Sequence, residues 1–514
     1  MEKNKKLIVL GVLALILIIS GITYAILTWT SSKINIGLTS NCFTIDYTKG
    51  NDIANASIKA LNESDLISDN KFTIKEGIAL TYANIGIKST CTIEGYGSLY
   101  LNVTTLSSAF STGNSKGALK YAVLDNTSTT STVIVASLLN QQFNIVSKGN
   151  ITSTGKITLL TKQLSNTKLN KYLIVIYADV SKIANDAMDA SFNGTVSADA
   201  NQGKAPITPE DQLVNLGLSV SSGTPNFTKT SIDDKTNGIY SAKDDLGTSY
   251  YFRGNVTNNY VKFANKYWRI IRINGDGTIR MIYAGTSAHA NGYDDSSTDD
   301  MSIGTSAFNS SYNDNTYVGY MYGTKGASTY EDTHSNTTNS TIKTKLDSWY
   351  DTNIVNTGNE KYIADAIYCN DRSVSSGTGI GTTATTYAAK TRGDNGTPTL
   401  KCPNNNDKFT KSTTIGNGKL TRMIGLITTD EVMYAGGIYG TTNTQYYLYS
   451  STFYWTMAPY SYASGFADVG SVNYGGDLSD RHVRSASAVR PVVSLKSDAI
   501  SGGSGTAASP FLVG

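Results

Sequence analysis

Tyr267-Trp-Arg-Ile-Ile-Arg-Ile273, Asn274-Gly-Asp-Gly277 and Thr278-Ile-Arg-Met-Ile-Tyr283 follow one another without interruption. The outer two runs are aromatic and β-branched, the composition that suits a pleated, buried surface. The middle run pairs Asn-Gly with Asp-Gly, residues that accept the positive φ of a tight turn. The three together predict a β-hairpin. Upstream, Tyr250-Tyr-Phe-Arg-Gly254 and Tyr260-Val-Lys-Phe263 read as further strands. Downstream, Ser340 is placed to cap a helix whose face carries Ile342, Leu346, Trp349 and Tyr350. Thr428 or Thr429 can cap a second helix that ends at Gly436-Gly437. Strand-rich sequence runs from there to the terminus. An α+β domain over residues 213–514 is expected.

The first half reads differently. Leu99–Val103 alternates, Ala118–Leu124 and Tyr172–Tyr177 are continuous apolar runs, and Ser191–Ser197 alternates again. Asx and Gly clusters separate them, so residues 31–200 predict an all-β sandwich. Residues 201–212 contain two prolines among small polar residues and are expected to be a linker. The 33 Tyr and 47 Gly against 8 Pro in 514 residues favour packed β structure with many turns over disorder. A net charge of +3 without a basic run argues against nucleic acid as a partner.

Lys3, Lys5 and Lys6 precede an apolar run from Leu7 to Trp29. A helix of that length is expected to span a membrane, as an N-terminal transmembrane segment over residues 1–30 with a cytoplasmic N-terminus. The same run read as a cleaved signal would leave a secreted chain. Both readings place the remainder outside the cell, and the four cysteines fit an oxidising compartment. One disulfide per domain, Cys42–Cys91 and Cys369–Cys402, is the simplest of three possible pairings.

Residues 1–200 resemble exported β-sandwiches of the camelysin and biofilm-fibre type, through Gly21-Ile-Thr-Tyr-Ala25 and the late Phe192-Asn-Gly-Thr-Val196 strand. The second half carries the Trp-Arg-Ile hairpin, Cys369-Asn-Asp-Arg372, Thr429-Asp-Glu-Val-Met-Tyr-Ala-Gly436, Tyr454-Trp-Thr456, Val489-Arg-Pro491 and a Gly502–Phe511 closing segment. In that order they resemble bacterial surface domains of the C-type-lectin-like fold, related to the formylglycine-generating-enzyme fold. Some members of that fold are variable proteins of diversity-generating retroelements, in which polar and aromatic positions near the end of the domain are randomised on an apolar scaffold.

The resemblance implies a variable segment at 460–488. Its scaffold would be Ala463, Ala467, Val469, Val472, Leu478, Val483, Ala486 and Ala488. Its ligand-binding positions would be Ser461, Tyr462, Ser464, Phe466, Asp468, Ser471, Asn473, Tyr474, Asp477, Ser479, Asp480, Arg481, His482, Arg484, Ser485 and Ser487. A mixture of Tyr, Ser, Gly and Asn with Arg and His is also the mixture a binding surface uses. The expectation is an adhesin or receptor-like protein that binds a protein or glycan on another cell, phage or host. A structural subunit of a surface fibre and an uncharacterised extracellular enzyme are the alternatives.

No catalytic residue and no cofactor is expected. The three histidines, His289, His334 and His482, form no H-E-x-x-H. No Cys follows Cys402, so the copper-binding pair of the formylglycine-generating relatives is missing, and the second domain lacks the Glu-Pro-Asn and Gln-Pro-Asp of calcium-dependent sugar binding. Asp294, Asp295, Asp299 and Asp300 do not match a calcium-loop spacing and read as a solvated acidic loop. Trp268, Trp349 and Trp455 read as core anchors, and Arg490 as a buried side chain satisfied by backbone carbonyls.

Overall fold

The structure is a computed structural model that describes residues 32–33, 43–53, 58–89, 95–126, 135–165, 168–202, 205, 207–228 and 237–514. The chain forms two compact units that divide between Ala205 and Pro206.

In the first unit a large sheet contains β1 (Phe43–Lys49), β2 (Ala79–Ser89), β4 (Leu119–Asp125), β5 (Gln142–Asn150) and β7 (Asn170–Asp179), in the order β1-β2-β7-β4-β5. A smaller sheet contains β3 (Gly95–Leu106) between β6 (Gly155–Leu164) and β8 (Phe192–Gln202). The arrangement is sandwich-like, with Leu99, Leu101, Val103, Val196, Ile174 and Ile176 in one shared core cluster. β7 is central and buried on both sides. Tyr172, Ile174 and Ile176 enter that cluster, while Leu173, Val175 and Tyr177 enter a second one with Phe72, Leu80 and Leu124. Double-sided burial is why this strand reads as a continuous apolar run.

In the second unit β9 (Thr248–Arg253), β10 (Tyr260–Phe263), β11 (Lys266–Ile273) and β12 (Ile279–Tyr283) share a sheet with β16 (Val492–Leu495) and β17 (Phe511–Val513). β11 and β12 form the expected hairpin, with Ile273 opposite Ile279 and Trp268 opposite Tyr283. Gly277 takes φ +84° in the turn, and Asn274 N–H donates to Thr278 O at 2.8 Å. A second sheet is built around β13 (Tyr454–Ala463), β14 (Phe466–Val472) and β15 (Leu478–His482). Trp268 and Trp455 are fully buried in one apolar cluster that spans the unit, and Trp349 packs half-buried against it.

Helix starts follow the sequence signals. Ser340 caps α2 (Thr341–Tyr350), accepting from Lys343 N–H, with Ile342, Leu346 and Tyr350 buried. Thr428 caps α3 (Thr429–Ala435) in a reciprocal box with Glu431, and Gly436 closes it at φ +119°. Part of the expected linker is also helix. Thr208 accepts from Asp211 N–H and opens α1 (Pro209–Asn215), where Leu213 is buried. Pro209 sits in the first turn, where its missing N–H costs nothing.

Two expectations are corrected. The second unit is mostly β-sheet with a few short helices, where an α+β domain was expected, because most of its apolar runs pair as strands. Among the described residues no helix is long and apolar enough to cross a membrane, so the N-terminal transmembrane helix and the single-pass membrane location drawn from it are not supported. α2, with ten residues, is about 15 Å long at ~1.5 Å per residue, half of a ~30 Å hydrocarbon core. Leu7–Trp29 lies outside the described residues.

Cys369 and Cys402 form a disulfide with their Cα atoms 5.7 Å apart. Cys42 and Cys91 lie outside the described residues.

Candidate functional site

The segment 460–488 comprises most of β13's second half, β14, β15 and the turns between. Ser464 and Gly465 make the first turn, both at positive φ (53° and 84°), with Ala463 and Phe466 paired on either side. That is a primed hairpin turn, whose twist matches the flanking strands. In the second turn Asn473 N–H donates to Asp477 O at 2.9 Å, and Asn473 Nδ2 donates to Asp477 Oδ2 at 2.7 Å. The brace leaves Tyr474 at the apex, 66% exposed and edge-on to Phe453 at 5.4 Å.

The sixteen expected binding positions divide sharply. Ser464, Tyr474, Asp480, His482 and Arg484 are exposed, and Ser461, Phe466, Asn473, Ser479, Arg481 and Ser485 are half-buried. Tyr462, Asp468, Ser471, Asp477 and Ser487 are buried and offer nothing to a ligand. Tyr462 belongs to the apolar cluster and stands opposite Ala467, which faces the same interior. Of the scaffold positions, Ala467, Val469, Val472, Leu478, Val483 and Ala488 are buried, whereas Ala463 and Ala486 are exposed. The polar-versus-apolar pattern misjudges the interior because β14 is covered on both sides, so its polar residues are buried with its apolar ones.

The exposed residues also divide between two sides of the β14–β15 ladder. Side chains alternate along a strand, so Asp480 and His482 point to one side and Ser479 and Arg481 to the other. On the Arg481 side, its guanidinium carbon lies 4.1 Å over the Phe453 ring. Burial holds Arg481 below its ordinary value.

The His482 side holds the most developed constellation. The Phe466 ring stacks on Tyr312 (centroids 5.2 Å, planes 16° apart) and on His482 (4.3 Å, 27°). The Arg484 guanidinium carbon is 4.4 Å from the Tyr312 centroid and 5.1 Å from that of Phe466. His482 Nδ1 lies 2.6 Å from Asp468 Oδ1, and Ser461 Oγ donates to Asp468 Oδ2 at 3.1 Å. Burial pushes the Asp468 carboxyl up, and the bonds from His482 and Ser461 restrain it. With Nδ1 committed to Asp468, Nε2 is left to present outward, as acceptor on a neutral ring or donor on a protonated one. Neither Arg484 nor Arg481 has an ion-pair partner among the described residues.

Nearby, Tyr439 stacks on Tyr460 (5.6 Å, 19°) and Lys390 Nζ lies 5.2 Å over Tyr460. Tyr312, Phe453 and Lys390 belong to this surface but were not legible in the sequence. Tyr312 and Lys390 come from distant segments, and Phe453 looks like any strand-edge aromatic.

The remaining candidates are structural. His289 pairs with Asp300 at 2.6 Å and stacks on Tyr293. His334 is buried and pushed down to about 3 by burial and then by Arg372, so it stays neutral. Asp295 is buried, accepting from Ser450 and Ser451, while Asp294 is held down to about 2 by hydrogen bonds from Ser451 and Ser296. Arg490 is buried and donates to Tyr283 O and Leu448 O. A cavity of about 40 Å³ lined by Asp244, Arg272, Arg280, Arg392, Asp430 and Glu431 has room for water only. Among the described residues no cluster of His, Cys, Asp and Glu is arranged to hold a metal ion.

No known family model matches the chain, and no curated protein or solved structure is significantly similar to it.

Proposed function

We propose that the chain is a ligand-binding protein, adhesin or receptor-like, and that it recognises a protein or glycan through the outer part of the β14–β15 hairpin. The observation that carries this reading is the Tyr312–Phe466–His482 stack with the Arg484 guanidinium lying over it and, among the described residues, no ion-pair partner for that cation. Stacked aromatic and Arg side chains on a rigid sheet supply contact area at low entropic cost, and such residues dominate binding energies. A guanidinium held on aromatic rings keeps its N–H fork free for a ligand oxygen.

The lectin-like resemblance and diversification belong to the same proposal. Randomisation is tolerable at the exposed positions Ser464, Tyr474, Asp480, His482 and Arg484 and at half-buried Phe466, and costly at the buried ones. A reverse-transcriptase gene beside this one, with a near-copy of the 3′ segment differing at adenines, is the genomic observation that supports diversification. Its absence removes that part and leaves binding standing.

The test is a screen of the full chain against peptide and glycan arrays, followed by titration of each ligand found against wild type, Phe466→Ala and Arg484→Ala. Loss of affinity in both variants supports the assignment. Undiminished affinity for every ligand overturns it.

A further inference from the structure

In the first unit, β4 and β7 are antiparallel neighbours with Lys120 opposite Tyr177, and Asp179 lies two residues beyond Tyr177 on the same side. That side carries Ala122, Leu124, Leu173, Val175 and Tyr177 into an apolar cluster. Lys120 and Asp179 sit at its end, 7% and 3% exposed. Lys120 Nζ is 2.8 Å from Asp179 Oδ2 and 2.7 Å from Glu63 Oε2. The other oxygen of Asp179 accepts from Ser181 N–H at 3.1 Å and Ser181 Oγ–H at 2.7 Å. Glu63 Oε1 accepts from Tyr177 O–H at 2.7 Å.

We propose that this triad is a self-modification site, at which Lys120 and Asp179 condense into an intramolecular isopeptide bond with Glu63 as the proton carrier. The three requirements of such a step are in contact. The amine nitrogen already touches the carboxyl group it would attack, so the reaction is unimolecular. A second carboxylate is within hydrogen-bond reach of that nitrogen to take and return its protons. The two Ser181 donors lie on Oδ1, where negative charge develops as the tetrahedral carbon forms.

The step balances without an oxidant or co-reactant. At rest burial disfavours charge on all three groups, and their mutual hydrogen bonds outweigh it, leaving an ammonium and two carboxylates. One proton passed from Nζ to Asp179 by way of Glu63 gives amine and acid with no change in net charge. The Nζ–Cγ bond then forms and the Cγ–Oδ2 bond breaks. Of the three ammonium protons one stays on the amide nitrogen and two leave with Oδ2 as water. Glu63 begins and ends ionised. The product replaces a desolvated ion pair by a neutral amide, which removes the cost of keeping those two charges out of water. It also ties the end of β7 covalently to β4.

The experiment is peptide mapping of the denatured full-length wild-type chain by mass spectrometry. The expected result is a branched tryptic peptide containing residues 120 and 179, lighter by one water than the two peptides together, with no cleavage after Lys120. Lys120→Arg and Asp179→Ala chains are expected to yield the separate, unmodified peptides, and Glu63→Gln a smaller linked fraction at equal age. Wild-type peptides found only separately and at their unmodified masses overturn the proposal, and so does a linked peptide that persists in Asp179→Ala. The decisive reading comes from the wild type, so it does not depend on whether a variant folds.

Discussion

His482 and Asp468 face one another across the β14–β15 ladder, the imidazole half in solvent and its carboxylate partner inside, with Nδ1 and Oδ1 2.6 Å apart. The buried member is the one whose ionisation opposes folding. Because burial raises the Asp468 carboxyl above its unfolded value, its contribution to stability is full below the unfolded pKa and is lost as pH rises through the folded one. Asp468→Asn keeps the shape without that charge. The wild type is therefore expected to gain on the variant as pH falls from 7 through the carboxylate range. Urea unfolding of both chains at pH 7 and near pH 3.5 measures this. A stability difference that is the same at both pH values refutes the account of Asp468.

Glu431 is a buried carboxylate of the second unit shared by two guanidiniums and a helix cap. It is 3% exposed, pairs with Arg272 at 3.0 Å and Arg280 at 2.6 Å, and closes the capping box of α3. Glu431→Ala leaves two guanidiniums buried without it and is expected to cost about 3–5 kcal/mol. Thr428→Ala removes only the cap and is expected to cost about 1 kcal/mol. Denaturant titration ranks the two, and a reversed ranking contradicts the role given to the ion pairs.

The Cys369–Cys402 disulfide closes a loop with a sequence separation of 33. On chain entropy alone such a cross-link contributes about 4 kcal/mol. Cys402 N–H also donates to Asp245, and Arg372 within the loop pairs with Asp407 just beyond it, so part of the ordering survives reduction. Replacing both cysteines by serine is expected to lower the melting temperature and cost between about 2 and 4 kcal/mol, read by calorimetry. No change in melting temperature would show that the loop is held without the bond.

Arg484 separates binding from folding. Its side chain is exposed, lies over the rings of Tyr312 and Phe466, and has no ion-pair partner among the described residues. Exposed cation–π contacts are worth about 0.5–1 kcal/mol, so Arg484→Ala is expected to change stability by no more than that. Affinity for a ligand found in the array screen is expected to fall by about tenfold or more, the loss of a binding hot spot. A variant that loses stability and affinity in the same proportion would instead make Arg484 a structural residue.

How far the chain is legible without coordinates depends on how local each feature is. The β11–β12 hairpin, the caps at Ser340 and Thr428 and the burial of Trp268, Trp455 and Arg490 follow from turn chemistry, periodicity and composition within short windows, whereas the Cys369–Cys402 bond is one of three pairings the sequence allows. α1 starts inside the expected linker because Pro209 suits the first turn of a helix as readily as it suits a linker.

The binding segment shows the opposite case. Residue types at 460–488 indicate a polar, aromatic binding segment, yet they do not tell Asp468, Ser471 and Ser487, which are buried, from Asp480, Ser464 and Arg484, which are not. Nor do they bring Tyr312 to Phe466, or Glu63 to Lys120 and Asp179. Hydrogen bonds and turns between near neighbours are written in local sequence. Which side of a strand is covered, and which distant side chain meets it, is decided only when sheets pack, because burial is a property of the neighbours and not of the residue.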